Sequence, residues 1–335
     1  MWNAIARRMA PLRRILVGVV LGVPLSALLL WLAVRNADFD DVRMVVSDVD
    51  VANLSLAVVV MAFVYGGQAL RWWGIARAPM LAPAWFGRTV ACSAAVNNVL
   101  PGRIGDLLRA RWLQVDAGIS GGRALATVFI DRACDVIVLV ALLLFSLPFV
   151  AEADWLRPLA AGGVVLVIGI AAMLLGARAY TRRVGDRVRP VGLVRRVTRD
   201  TLFGLSEPLG ERRVAALGAV SLVVWLLCSF AVWIVARGVG IELSPVDAVF
   251  VAAVLNLGVA IPSAPGFVGT YQWLGVSSLA LVGVGTDAAL AFAILMHAVW
   301  YVPTTLVGGA FLVRRLAGSI FAVPRAAATH EASDG

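Results

Sequence analysis

Asn97-Asn98-Val99-Leu100-Pro101-Gly102-Arg103-Ile104-Gly105-Asp106 interrupts an apolar stretch over residues 86–117. Proline supplies no amide hydrogen and glycine admits φ/ψ values closed to other residues, so a helix running into this pair ends there. Ile261-Pro262-Ser263-Ala264-Pro265-Gly266-Phe267-Val268-Gly269-Thr270 breaks a second apolar stretch, 246–285, in the same manner. Both segments hold Pro-Gly-x-(Ile/Val)-Gly. At membrane depth such a break persists only inside protein or beside water. Each stretch therefore reads as two half-helices in a re-entrant hairpin, broken at Pro101, Gly102 and Gly105 in the first, and at Pro262, Pro265, Gly266 and Gly269 in the second.

Composition supplies the membrane. Of 335 residues, 61% are apolar, a further 32 are glycine, and only 15% are charged. A soluble domain has about 25% charged residues. Mean hydropathy is +0.90. A soluble globule, a disordered chain and a disulfide-stapled scaffold are excluded. The 29 basic residues are all arginine, against 20 acidic ones, for a net charge of +9. Two readings stay open: a GC-rich genome with positively charged inner loops, or recognition of phosphate, onto which a guanidinium forks. Nucleic acid is a poor partner, because the arginines flank apolar spans. Cys92, Cys134 and Cys228 stand apart in apolar sequence and are expected as free thiols. With His297 and His330 the only histidines, no metal cluster, cofactor site or Ser–His–Asp set is expected.

Apolar runs near 20 residues mark spans at about 14–34, 51–74, 122–150, 156–176, 213–237 and 287–314. The first is too long for a signal peptide and is expected to be retained. Arginine bias orients the chain. The N-terminal tail, Arg71, Arg77 and Arg88, the Arg-rich segment 177–213, and the C-terminal Arg314, Arg315 and Arg325 lie inside; acidic segment 35–50 and loop 148–157 lie outside. Both termini are then cytoplasmic. Residues 1–150 read as span, span, hairpin, span, and 151–317 repeat that order in the opposite direction, followed by a tail at 318–335. The fold expected is all-α, six spanning helices plus two re-entrant hairpins in the inverted repeat of secondary transporters. Segment 191–205 aligns Val194, Val197, Leu202 and Leu205 on one helical face. It reads either as an interfacial helix on anionic lipid or as a solvated loop.

Charges inside apolar spans are functional candidates. Asp131 and Asp135, four apart, share a helix face and need a cation from Arg71, Arg103 or Arg109. That group, with Arg132, reads as a structural ion-pair cluster or as part of a ligand site. The half-helix after Pro101-Gly102 starts with unpaired N–H groups. With Arg103, Arg109, Arg71, Asp106, Asn97 and Asn98 around it, it suits an anionic lipid headgroup. Ser263, Thr270, Tyr271 and Gln272 add neutral hydrogen-bonding groups from the second break.

At these residues the chain resembles the lysylphosphatidylglycerol synthase transmembrane family, also called flippase-like integral membrane proteins. The resemblance rests on Asn98…Pro101-Gly102-Arg103-Ile104-Gly105-Asp106…Arg109, on Asp131-Arg132…Asp135 and on Pro262…Pro265-Gly266…Gly269. It implies an inner-membrane protein that moves or presents a phospholipid or lipid-linked substrate between leaflets. It also implies Glu and Arg where this chain has Gln272 and His297, and a frequent Glu where Asp106 stands. Here the second half lacks that charge pair, and His297 is assigned a structural or proton-coupling role. Some relatives append an aminoacyl-transferase domain; the chain ends at 335 without one, so lysyl transfer is not expected. The combined expectation is a flippase-like transporter of an anionic phospholipid or polyprenyl-phosphate lipid, not an enzyme and not driven by ATP. It needs no cofactor, and a separate lipid-modifying enzyme is its one expected protein partner. The rivals are a membrane-embedded transferase using Asp131 or Asp135 as base, and a lipid-presenting scaffold.

Overall fold

The computed structural model describes residues 23–150, 157–184, 193–206, 211–259 and 263–321. Expectations for the N-terminal tail, the start of the first span, Ile261, Pro262, parts of 177–213 and the tail beyond 321 lie outside them.

Among the described residues all regular structure is helical. The first half comprises α1 (Val23–Val34), α2 (Phe39–Ser47), α3 (Val51–Ala76), α4 (Pro83–Val99), α5 (Ile104–Ala117) and α6 (Gly121–Ser146). The second comprises α7 (Arg157–Val184), α8 (Leu193–Ser206), α9 (Glu211–Gly238), α10 (Pro245–Gly258), α11 (Thr270–Ala280) and α12 (Thr286–Phe321). Local chemistry sets several starts: Asp50 accepts from Ala52 N–H, Ser120 from Arg123 N–H, and Ser244 and Asp247 cap each other's backbone at α10.

Four helices are long and apolar enough to cross a membrane: Val51–Ala76, Ala161–Arg183, Glu211–Gly238 and Thr286–Ala317. Six spans were expected. Helix α6 is long enough, but Arg123, Asp131, Arg132 and Asp135 interrupt its apolar run, and α1 is described only from Val23. Helices α4, α5, α10 and α11 have 17, 14, 14 and 11 residues, short of the roughly 20 that a crossing needs.

Small residues set how closely the helices approach. α3 lies along α9, with Gly67 against Val224; α4 lies along α12, with Gly308 against Ala91 and Ala95. α6 packs on α10 and on α8, and α12 on α2. The main core, including Phe250, Leu255, Phe292 and Met296, fills the space between α3, α9, α10, α11 and α12.

Helix α8 corrects the expectation for segment 191–205. Its Leu202 and Leu205 pack with Ala126, Phe129, Ile130, Leu174 and Ala177 of α6 and α7. Gly122 and Gly204 let the helices touch backbone to backbone. The apolar face is spent on protein, not on lipid.

Candidate functional site

The two breaks meet. The 3-10 turn Pro265–Phe267 packs on α4, Arg103 donates from Nη2 to Val259 O at 3.3 Å, and Tyr301 Oη donates to Asn98 O at 3.5 Å. Gly102 (φ 77°) and Arg103 (φ 53°) turn the chain between α4 and α5 through the left-handed region. Gly105 does not break the helix: it sits in the first turn of α5, where a side chain would strike the Ser93 carbonyl. Its N–H donates to Asn97 Oδ1 at 2.7 Å. Asn97 therefore caps the half-helix that follows it.

Four helices contribute to a charge cluster beside the first break. Asp131 Oδ1 accepts from Arg71 Nε at 2.8 Å, and its Oδ2 from Arg109 Nη1 at 2.9 Å. Arg71 Nη2 lies 2.7 Å from Asp135 Oδ1, a close ionic contact without hydrogen-bond alignment, while Asp135 Oδ1 accepts from Trp225 Nε1 at 3.1 Å. Arg71 also donates to Ser221 Oγ at 3.1 Å. Arg132 reaches Asp135 at 3.1 Å, Asp131 at 3.5 Å and Asp106 at 3.7 Å; Arg109 reaches Asp106 at 3.4 Å. The Arg109 guanidinium stacks 4.9 Å over Trp72, whose indole N–H donates to Thr127.

Burial then separates the arginines. Arg71 and Arg109 are each 1% exposed, whereas the Arg132 side chain is 34% exposed. Arg109 was expected to touch substrate. The structure instead seals it between Asp131, Asp106 and Trp72, while Arg132, read as part of an ion-pair cluster or of a ligand site, is partly exposed. Arg103 is half-buried and makes no carboxylate pair among the described residues. Three carboxylates thus balance three guanidiniums, and Arg103 is a fourth. Arg109 Nε and Nη2 and Arg132 Nε are buried without hydrogen-bond partners.

Asn98 is buried and donates to Thr305 Oγ1 at 2.8 Å and Thr304 Oγ1 at 3.1 Å. Those threonines follow Pro303, which cannot donate to the preceding turn, and they bond back to Trp300 O and Tyr301 O. Asn98 thus ties α4 to the weakened turn of α12. At the second break, Ser263 is half-buried while Thr270, Tyr271 and Gln272 are enclosed in the core. Thr270 shares a hydrogen bond with Ser26 of α1, whose Oγ also accepts from Ala264 N–H at 2.7 Å. Gly269 makes room for that crossing helix. Thr270, Tyr271 and Gln272, expected to offer hydrogen bonds to a ligand, are enclosed by protein.

Sequence reasoning missed Ser221, Trp225 and Trp72. The first two recur four apart on one face of an otherwise apolar α9, and that polar stripe was the available signal. Among the described residues, no group of three or more His, Cys, Asp or Glu side chains is placed to hold a metal ion, and Cys92, Cys134 and Cys228 are free.

Residues 15–308 match the family described as lysylphosphatidylglycerol synthase TM region. The chain belongs to that family. It is a multi-pass membrane protein, and it is similar to the UPF0104 membrane protein MJ1078 of Methanocaldococcus jannaschii, 20% identical over 64% of this chain and 91% of that one. It is also 28% identical to the Glycosyltransferase AglD of Haloferax volcanii, over 88% of this chain and 53% of the relative. The chain thus spans about half the length of AglD. This match overturns the expectation that the chain is not an enzyme. That expectation rested on the lack of a metal cluster and a nucleophilic triad, and carboxylates can act as base or nucleophile without either.

Proposed function

We propose that this membrane protein binds the phosphate of an anionic lipid at Arg103 and Arg132 and carries the headgroup between leaflets along the meeting point of the two breaks. The observation that carries this reading is the charge balance at the first break. Arg103 is surplus to the three Asp–Arg pairs and donates to the Val259 carbonyl, and Arg132 is partly open, with its Nε near Asp106 but not hydrogen-bonded to it. A phosphate would supply the missing acceptors, and guanidinium can hold it bidentately.

The transport part of this reading takes the two halves as an inverted repeat, and the order and packing of the helices support it. After α1 the first half runs short α2, long α3, the α4–α5 pair and long α6; after α7 the second runs short α8, long α9, the α10–α11 pair and long α12. Their contacts are reciprocal: α3 meets α9, α4 meets α12 as α10 meets α6, and α2 meets α12 as α8 meets α6. Such exchange of partners is what a two-fold relation produces. The orientation proposed has both termini cytoplasmic and the first hairpin entered from that side, in the inner membrane.

The test is a leaflet-specific assay of a fluorescent phospholipid in proteoliposomes. Arg103→Ala and Arg103→Lys are both expected to lose binding and transport by tenfold or more, because lysine keeps the charge but not the fork. Unchanged transport in both variants would remove this reading. A second reading is favoured by the relative named a glycosyltransferase: the same site holds a lipid-linked substrate for glycosyl transfer. Purified chain given a nucleotide sugar and a polyprenyl phosphate would then form a glycolipid, whereas transport alone leaves both unchanged.

A further inference from the structure

Helix α12 runs for 36 residues with Pro303 inside it. Proline leaves the Val299 carbonyl without an N–H donor and crowds the turn before it, so a helix bends there. Thr304 Oγ1 and Thr305 Oγ1 donate back to Trp300 O and Tyr301 O, each at 2.6 Å, and threonine bonds of this kind bend helices further. The two sides of the bend are held differently. Before Pro303, Leu290, Phe292, Met296 and Val299 belong to the apolar core, and His297 is hydrogen-bonded to Gln272 of α11. Of residues 304–317, Gly308 alone is buried, and none joins an apolar core cluster of the described residues.

The segment beyond Pro303 lies along α4 on contacts that are small or polar. Gly308 passes so close to the Ala91 carbonyl that a side chain would not fit. At the near end Asn98 donates to Thr304 and Thr305. At the far end Arg315 Nη2 donates to Asp116 Oδ2 at 2.6 Å, and its guanidinium stacks 4.2 Å over Trp112, both on α5. Trp85 Nε1 of α4 donates to the same carboxylate oxygen at 2.8 Å. The Arg315 and Asp116 side chains are 33% and 23% exposed. An ion pair this open is weak and is screened by salt, unlike the sealed Asp131 group. A segment with few buried apolar contacts opens locally more readily than a core does.

We propose that residues 304–317 form a strap on α4, hinged at Pro303 and latched by Arg315 on Asp116. When the latch parts, the strap swings off α4 and opens the seam between α4 and α12 as far as Asn98, where the two breaks meet. When the latch closes, the seam is shut from the Arg315 end. The core half of α12 stays in place throughout. The strap stands apart from the phosphate reading of Arg103 and Arg132 and holds whatever molecule the seam admits.

The test uses the full chain in nanodiscs. Cys92 adjoins Ala91 on α4, is 2% exposed and lies close enough to Arg315 to feel its charge. It reports on the seam once Cys134 and Cys228 are replaced by alanine. Arg315→Gln and Asp116→Asn should each speed its alkylation by a maleimide up to about fivefold, the most that an ion pair of this exposure holds. Molar salt should speed the wild-type reaction likewise and leave the Arg315→Gln rate unchanged. In a background without cysteine, a nitroxide pair at the exposed positions Val115→Cys and Arg314→Cys should gain a longer distance when Arg315→Gln is added. A pair before the hinge, at the exposed Met44→Cys and Ile294→Cys, should keep a single distance. Pro303→Ala, which restores the donor, should abolish the longer distance. If Pro303→Ala does not fold, the pair before the hinge alone places the bend; if neither latch variant folds, wild type in molar salt carries the test. Unchanged alkylation or unchanged distances with the latch broken, equal movement of both pairs, or a longer distance that survives Pro303→Ala would each overturn the proposal. Arg103→Ala decides the phosphate reading separately, because it leaves hinge and latch in place.

Discussion

Asp131 is 0% exposed and accepts from two guanidiniums that are themselves sealed. Removing one member of such a group leaves an uncompensated buried charge, which costs about 3–5 kcal/mol, while replacing a whole pair by apolar residues is often neutral. Asp131→Asn is therefore expected to lower the unfolding midpoint in detergent strongly. Arg71→Met combined with Asp135→Leu should lower it less than Arg71→Met alone. Thermal unfolding followed by tryptophan fluorescence reads both, and equal losses in the single and double variants would contradict the pairing. Arg109→Lys belongs to the same class. It keeps the charge but loses the stacked plane on Trp72 and the fork toward Asp106 and Asp131. Its effect should fall on stability, whereas Arg103→Lys should act on lipid binding and leave stability unchanged.

At the scale of elements, the two breaks were legible because Pro-Gly permits one local outcome whatever surrounds it. Proline cannot continue the hydrogen-bond ladder, and Gly102 and Gly266 sit at φ values that other residues avoid. What sits opposite a helix face is not local, and there the sequence misled. Helix α8 shows an amphipathic pattern that a membrane surface or a neighbouring helix satisfies equally well; Gly122 and Gly204 decide it by letting α6 come close. Arg109 and Arg132 likewise carry the same side chain, and only the fold tells which is sealed. Gly105 gives a sharp test of the hairpin. Its missing side chain lets α5 touch the Ser93 carbonyl, so Gly105→Ala must push α4 and α5 apart. Both folded stability and lipid binding should fall, whereas Gly102→Ala, in open space at φ 77°, should show only the backbone strain of about 1–2 kcal/mol. A Gly105→Ala variant as stable as wild type would refute the close contact.

At the scale of the molecule, the reciprocal packing of the two halves and the arginine bias make one joint prediction about sidedness. Asp38 N–H donates to Asp287 Oδ1 at 2.8 Å, so the start of α2 and the start of α12 share one surface. Asp50 N–H donates to Gly238 O, which places the α9–α10 turn on that surface too. At the other end, Arg315 donates to Asp116 at 2.6 Å and Trp85 donates to the same carboxylate, joining α12, α5 and α4. The first surface carries Asp40, Asp41, Asp48, Glu242 and Asp247, and the second gathers Arg88, Arg111, Arg314 and Arg315. By the positive-inside rule the second is expected to face the cytoplasm. In a background with Cys92, Cys134 and Cys228 replaced by alanine, Asp41→Cys and Glu242→Cys should react with an impermeant maleimide in intact cells. Arg88→Cys and Gln114→Cys should react only after permeabilisation. Glu242 and Gln114 are the informative pair, because each adjoins the hairpin of a different half. Labelling of both from the same side would place the two hairpins in the same direction and end the inverted-repeat reading, whatever the lipid assays show.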